Sequence, residues 1–336
     1  MFASEVTAQP HENFVFNPRK YICHKATGNI SIDGLMNEED WKKQPWTEDF
    51  VDIEGNLKPP PLQNTKVKML WDENYFYIFA RLEEKDIWAS LTQRDTVIFK
   101  ENDFEVFIDP DGDTHLYYEF EMNALNTVWD LLLIKPYRDG GPQITGWDIA
   151  GLQSSTHIEG TLNNSSDSDR YWNAELAFSW QSLIEAVPGR TKPADGDQWR
   201  INFSRVNWQL QRAGNGYTKK FNPTTGRPYP EYNWVWTEQG RINMHQPETW
   251  GYVQFTSEQP GTAVSFINKK EEIIKWRLRK VYYDEKKFFA VNCKYTTEIA
   301  DKDFQVYVNP LGFLVTYEGN DGTWNIREDG KVWKSK

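Results

Sequence analysis

The sequence predicts a mainly β protein: an antiparallel, jelly-roll-like β-sandwich followed by a small α+β appendage. Three observations carry that prediction. Short runs of alternating apolar and polar residues recur between turn signals up to about residue 257. Long helical periodicity is missing before residue 260. After Gln259-Pro260-Gly261 the apolar period changes from two to about 3.6.

Residues 1–25 read as an irregular lead-in. Strands are expected over 29–32, 66–71, 75–82, 103–109, 115–122, 128–134, 171–178, 199–208 and 251–255, with Asp72-Glu73-Asn74 as a tight turn. Short helical pieces fall near 38–43 and 180–187. Many short strands with few helices favour a sandwich, placed over 26–257. Loops at 136–170 and 211–233 are rich in Gly, Pro, Asn, Ser and Asp, and long loops often line sites. Beyond the break, Ile274, Leu278, Val281, Tyr282, Glu285 and Phe289 follow helical spacing. Strand runs at 304–308, 311–317 and 323–327 complete a unit over 262–336.

Composition excludes several functions. A net charge of −11 argues against a nucleic-acid surface, which needs clustered Lys and Arg. No apolar run approaches the ~20 residues of a membrane helix. Cys23 and Cys293 are the only cysteines; they suggest no disulfide framework and fit no metal-site spacing. The N-terminus as given shows no signal peptide. Sixteen Trp, 16 Tyr and 19 Phe exceed what a core requires and leave rings to serve as flat platforms.

The richest stretch is 102–130. Side chains alternate faces along a strand, so Phe104, Val106 and Ile108 share one face, and Tyr118, Phe120 and Met122 continue it. The opposite face carries Glu105, Phe107, Asp109, Tyr117, Glu119, Glu121 and Asn123. Carboxylates, an amide and rings on one face suit recognition of sugar hydroxyls. The turn between the strands, Asp109-Pro110-Asp111-Gly112-Asp113, sets three carboxylates at alternate positions, a donor set for calcium.

Five segments resemble the carbohydrate-binding module family 9-like proteins, a β-sandwich family related to DOMON domains. They are Ile30–Gly34 with Glu38 and Trp41, then Val67–Tyr77, Asp103–Asp109, Tyr171–Leu183 and Ile242–Phe255. Together they cover about residues 20–257. The resemblance implies non-catalytic saccharide binding outside the cytoplasm, in a secreted, periplasmic or cell-surface protein of polysaccharide utilisation. The family's glutamate falls on Glu105, its asparagine on Asn123, and its glutamine near Arg205. Glu121 stands where its arginine is expected, and Phe99 takes the place of one clamping ring. The second ring falls around Met244 or His245, with Trp236 and Trp250 near in sequence. Phe99, Trp129, Trp147 and Trp236 are the candidates for aromatic cover. Family members hold structural calcium, which supports the acidic-turn reading.

Two other chemistries compete. Glu119 and Glu121 lie about 6.6–7 Å apart by strand rise, within the carboxyl separations of glycoside hydrolases. Haem binding of the DOMON type would draw on Met69, Met122 or Met244 with His115 or His245, although Met69 and Met122 fall on apolar strand faces where core packing is the ordinary role.

Overall fold

The alternating runs pair edge to edge and the resulting sheet curls until its apolar sides meet. The structure, a computed structural model, describes residues 17–298 and 301–335; most of the predicted lead-in, 1–16, lies outside the described residues. In chain order the elements are β1 (Lys20–Lys25), α1 (Glu39–Lys43), β2 (Val51–Asp52), β3 (Thr65–Trp71), β4 (Tyr75–Glu83), β5 (Phe104–Asp109), β6 (Tyr117–Met122), β7 (Val128–Leu133) and β8 (Gln143–Ile144). They continue with β9 (Gln153–Glu159), β10 (Tyr171–Ser179), α2 (Trp180–Leu183), β11 (Gln198–Asn207), β12 (Leu210–Ala213), β13 (Gly216–Lys219), β14 (Tyr232–Val235) and β15 (Gly251–Thr256). The C-terminal part adds α3 (Glu271–Asn292), β16 (Gln305–Asn309), β17 (Gly312–Gly319), β18 (Gly322–Arg327) and β19 (Val332–Ser335).

Among the described residues one large sheet runs β8-β7-β6-β5-β11-β15-β1-β3-β4-β10-β9, with β14 also pairing β11 and β2 pairing β14. Its two halves face each other as a sandwich. Phe104, Val106, Ile108, Tyr118, Phe120, Met122, Ile201 and Phe203 pack there against Val67, Met69, Phe76, Ile78, Ala80, Trp172, Leu176 and Phe178. Each large side chain so buried contributes about 1.5–3 kcal/mol.

Three predicted elements are corrected. Residues 20–25, assigned to the lead-in, form β1 in the middle of the sheet, parallel to both β15 and β3. KYICHK reads as polar because of its two lysines and His24. Its Tyr21 and Cys23 nevertheless enter the core, and His24 is buried with its ring nitrogens 2.9 Å from Gln44 Oε1 and Thr262 O. Residues 29–32 form no strand; Ile30 and Ile32 cover the outer face of β3 and β4 instead. The loop at 136–170 contains a sheet strand, β9, whose seven residues are all partly exposed or exposed and therefore show no apolar alternation.

The Ile-Asp-Gly…Glu…Trp opening is a structural bolt. Asp33 N and Gly34 N donate to Glu175 Oε2 on β10 at 3.0 and 2.8 Å, and Trp41 Nε1 on α1 donates to Oε1 at 2.8 Å. Burial pushes the Glu175 carboxyl up to about 7. Gly34 has φ +81, and a Cβ there would come within 2.8 Å of His157 N, so both backbone conformation and space call for glycine.

Helix α3 lies on the β16–β19 meander. Leu278, Val281 and Tyr282 join Phe313, Val315, Ile326 and Val332 in a core separate from that of the sandwich. Glu285 is buried and Phe289 half exposed, so the apolar stripe is narrower than its spacing suggested. This unit meets the sandwich through polar groups. Tyr282 Oη donates to Asp139 at 2.8 Å, Lys286 pairs with Asp139 at 2.8 Å, Lys331 with Asp113 at 2.9 Å, and His115 Nε2 lies 3.3 Å from Asp329.

Candidate functional site

The outer face of β5, β6, β7 and β11 gathers most of the groups singled out in the hairpin. Register sets Ser204, Glu105, Glu121 and Trp129 in one row across β11, β5, β6 and β7. The next row holds Asn202, Phe107, Glu119 and Leu131. Beyond it stands an apolar cluster in which the rings of Phe107, Tyr117 and Trp250 pack with Leu131 and Leu133. His245 joins that cluster, 4.4 Å from the Tyr137 ring centre, with Nδ1 3.0 Å from Tyr117 Oη. Burial and the nearby Arg138 push its imidazole down to about 3, so it is neutral at physiological pH.

The floor is acidic. Glu105, Glu119 and Glu121 are buried, with Asp103 beside them. Burial pushes all four carboxyls up; their mutual repulsion adds to it for Asp103, Glu119 and Glu121. Glu105 reaches about 7, held back by Ser204 and Asp103. Glu121 Oε2 accepts hydrogen bonds from Ile98 N and Phe99 N, both at 3.0 Å. These bonds fix the Phe99 turn at the rim, where its ring is 42% exposed. Trp208 Nε1 steadies the same turn by donating to Phe99 O at 3.0 Å. Tyr137, 43% exposed, stands on the opposite rim and feels the charges of Glu119 and Glu121. Trp129 Nε1 is a buried donor without a partner among the described residues.

The structure separates the other expected residues from this face. Arg205 lies on the interior side of β11, where its Nη2 donates to Glu84 Oε2 at 2.6 Å and its Nη1 to Thr65 Oγ1 at 3.0 Å. Its guanidinium also lies 5.2 Å from the Trp234 ring centre. The residue that faces Glu105 is Ser204, one position earlier, and a slip of one residue changes the side of the sheet. Asn123 is spent on its own turn. Its Nδ2 donates to Leu91 O and Glu101 Oε1, and its Oδ1 accepts from Leu125 N and Thr127 N. Trp236 is fully buried in the sandwich core, and a Cβ at Gly251 would meet its ring at 2.4 Å. Trp147 stacks on Tyr118 at 4.8 Å, away from the acidic row. Tyr137 carries no motif of its own in the sequence; only the Gly- and Pro-rich loop 136–170 around it points to a site.

Three carboxylate groups among the described residues have oxygens close enough for one cation; in one of them, Asp95, Asp130 and Asp148, Arg94 already meets all three carboxylates. Asp109, Asp111 and Asp113 offer atoms within 4.8 Å of one another, as do Asp103, Glu105 and Glu121. In the turn, burial and then the charge of Asp113 push Asp111 up to about 6. Asp109 accepts from Gly112 N and Thr114 N, and Asp113 meets Lys331. Of the sulfur and imidazole groups considered for haem, Met69 and Met122 are core residues. His115 faces Asp329.

The chain is thus a curled β-sandwich whose outer face on β5–β7 is lined with carboxylates and rings. Residues 32–257 match the family described as "Carbohydrate family 9 binding domain-like", and the chain belongs to that family. Among solved structures, a family 9 carbohydrate-binding module from Caldicellulosiruptor kristjanssonii in complex with cellotriose is 15% identical, with a TM-score of 0.45, covering 75% of this chain and all of its own. The glucose complex of a family 9 module from the same organism gives 15% identity and a TM-score of 0.43, over 74% of this chain and all of its own. A putative carbohydrate-binding protein from Bacteroides uniformis ATCC 8492 is 12% identical with a TM-score of 0.51, over 71% of this chain and all of its own. No curated protein matches. No helix among the described residues is long and apolar enough to cross a membrane.

Proposed function

We propose that this protein binds a saccharide without cleaving it, outside the cytoplasm, as part of polysaccharide utilisation. The ligand lies on the outer face of β5–β7, over Glu105 and Glu119, between the rims formed by Phe99 and Tyr137. The carrying observation is Trp129 Nε1, a buried donor with no partner, across from Glu121 on a face bordered by exposed rings. Such a donor carries a desolvation cost of about 1–3 kcal/mol that a ligand hydroxyl removes. Sugar hydroxyls both donate and accept, so they match protonated and ionised carboxyls alike. Family membership and the cellotriose-bound module of the same family support a neutral glucan as the first ligand to test.

Hydrolysis fits less well. A glycosidase pair keeps one carboxyl protonated and the other ionised. Here Glu105, Glu119 and Glu121 are all pushed up by the same burial, and Glu121 is committed to two backbone N–H groups. Isothermal titration with cello-oligosaccharides, alongside a reducing-sugar assay, tests the reading. Binding without product release is expected, and Tyr137→Ala or Phe99→Ala should each weaken it about five- to tenfold, the value of one aromatic contact. Product release, or binding indifferent to both substitutions, would refute it.

A further inference from the structure

A second feature lies on the other half of the sandwich. On the outer face of β3 and β4, Lys66 stands opposite Arg81 in register, and Lys68 opposite Phe79. All three cations converge on one half-buried indole. Lys68 Nζ is 4.7 Å, Lys66 Nζ 5.1 Å and Arg81 Cζ 5.7 Å from the Trp46 ring centre. Arg81 also lies 4.5 Å from the Tyr171 ring centre. Lys68 is only 3% exposed, and its ammonium donates to a neutral carbonyl, Trp41 O, at 2.5 Å.

Among the described residues, no nearby carboxylate pairs with these cations. Glu175 is turned to Asp33, Gly34 and Trp41, Glu159 meets Arg170 at 3.2 Å, and Glu83 accepts from Asn64 N. The Lys68 ammonium is pushed down to about 8 by burial and then by the like charges of Arg81 and Lys66. Three cations without a carboxylate partner among the described residues, one of them buried, are costly through desolvation and mutual repulsion. The indole offsets part of that cost, since a cation over a ring is worth about 0.5–2 kcal/mol. An anion placed above Lys66 and Arg81 would offset the remainder.

We propose that the Trp46 face is a second binding site, and that it takes an acidic saccharide through its carboxylate or sulfate group. The anion sits on Lys66 and Arg81, Lys68 supplies charge from beneath, and Trp46 with Tyr171 flanks the sugar ring. The saccharide part rests on the carbohydrate reading above; the anion part rests on the three cations alone. The rest of the chain repels polyanions, so retention by one must come from a local patch.

Native gel electrophoresis of the full chain in gels containing polygalacturonate, dextran sulfate or neutral dextran tests this. Retardation is expected in at least one acidic gel and not in neutral dextran, and which acidic gel retards tells carboxylate from sulfate. Lys66→Gln/Arg81→Gln should weaken that retardation about tenfold or more, the loss expected for two charge-assisted contacts. A control with the same charge change at exposed positions, Lys85→Gln/Lys280→Gln, should retain it. Lys66→Glu alone, at a half-exposed site, gives a second reading if the double variant folds poorly. Binding of neutral cello-oligosaccharide at Phe99 and Tyr137 should be unchanged in the double variant, so the two sites fail separately. No retardation in either acidic gel, equal losses in the double variant and the control, or undiminished retardation of the double variant and Lys66→Glu would each overturn the proposal.

Discussion

Replacing Arg205 by Met asks whether this residue serves the fold or a ligand. The substitution keeps much of the volume and removes a guanidinium bonded to Glu84 at 2.6 Å and Thr65 at 3.0 Å, with both members of the ion pair almost fully buried. Breaking a buried pair by removing one partner costs about 3–5 kcal/mol, because the other charge stays behind in a low-dielectric site. Glu84 keeps Asn207 Nδ2 at 2.8 Å and Gln63 Nε2 at 3.0 Å, which places the expected loss at the lower end, about 3 kcal/mol. For a domain of this size, about 2–4 °C of melting temperature is lost per kcal/mol, so a fall of roughly 6–12 °C is expected by calorimetry. Adding Glu84→Gln removes the stranded charge and should restore part of that loss, a non-additivity of about 1–3 kcal/mol in a double-mutant cycle. Saccharide affinity at the β5–β7 face should stay within about twofold, since Arg205 faces away from it. An unchanged melting curve together with lost binding would refute this reasoning and return Arg205 to the ligand.

Glu105 makes stability depend on pH. Its folded pKa of about 7 lies above its ordinary value, so the native state holds the proton more tightly and stability falls as pH rises from about 5 to about 8. Glu105→Gln should flatten that slope in urea titrations at several pH values, and an identical slope would discard the assignment. Calcium at Asp109, Asp111 and Asp113 would relieve their mutual repulsion. Added calcium should then raise the melting temperature and EDTA lower it, while superimposable curves would leave the turn as a dock for Lys331. A chain ending at Ser257 should fold, because the C-terminal unit has its own core, but it should melt lower. The truncation uncovers Arg138, Asp139 and Glu248, now buried against α3. Insoluble truncated protein would show one cooperative unit instead.

Local pattern was enough to determine the strands and the two faces of the hairpin. In β5 and β6 the period of two alone placed Phe104, Val106, Ile108, Phe120 and Met122 in the core and Glu105, Glu119 and Glu121 on the other side. The change of period after Gly261 likewise marked α3 and its meander. Tertiary structure decided everything that depends on partners far apart in sequence. Arg205 was assigned by position to the acidic row, but its side depends on which residue of β11 registers with Glu105. That register is set by Ile201 and Phe203 filling the core. β1 escaped notice because a central strand flanked by parallel neighbours can be mostly polar when side chains such as His24 find buried partners. The convergence of Lys66, Lys68 and Arg81 on Trp46 was equally hidden. Alternate lysines on a strand look like an ordinary solvated face until the fold lays a ring from a distant loop over them and, among the described residues, leaves no carboxylate paired with them.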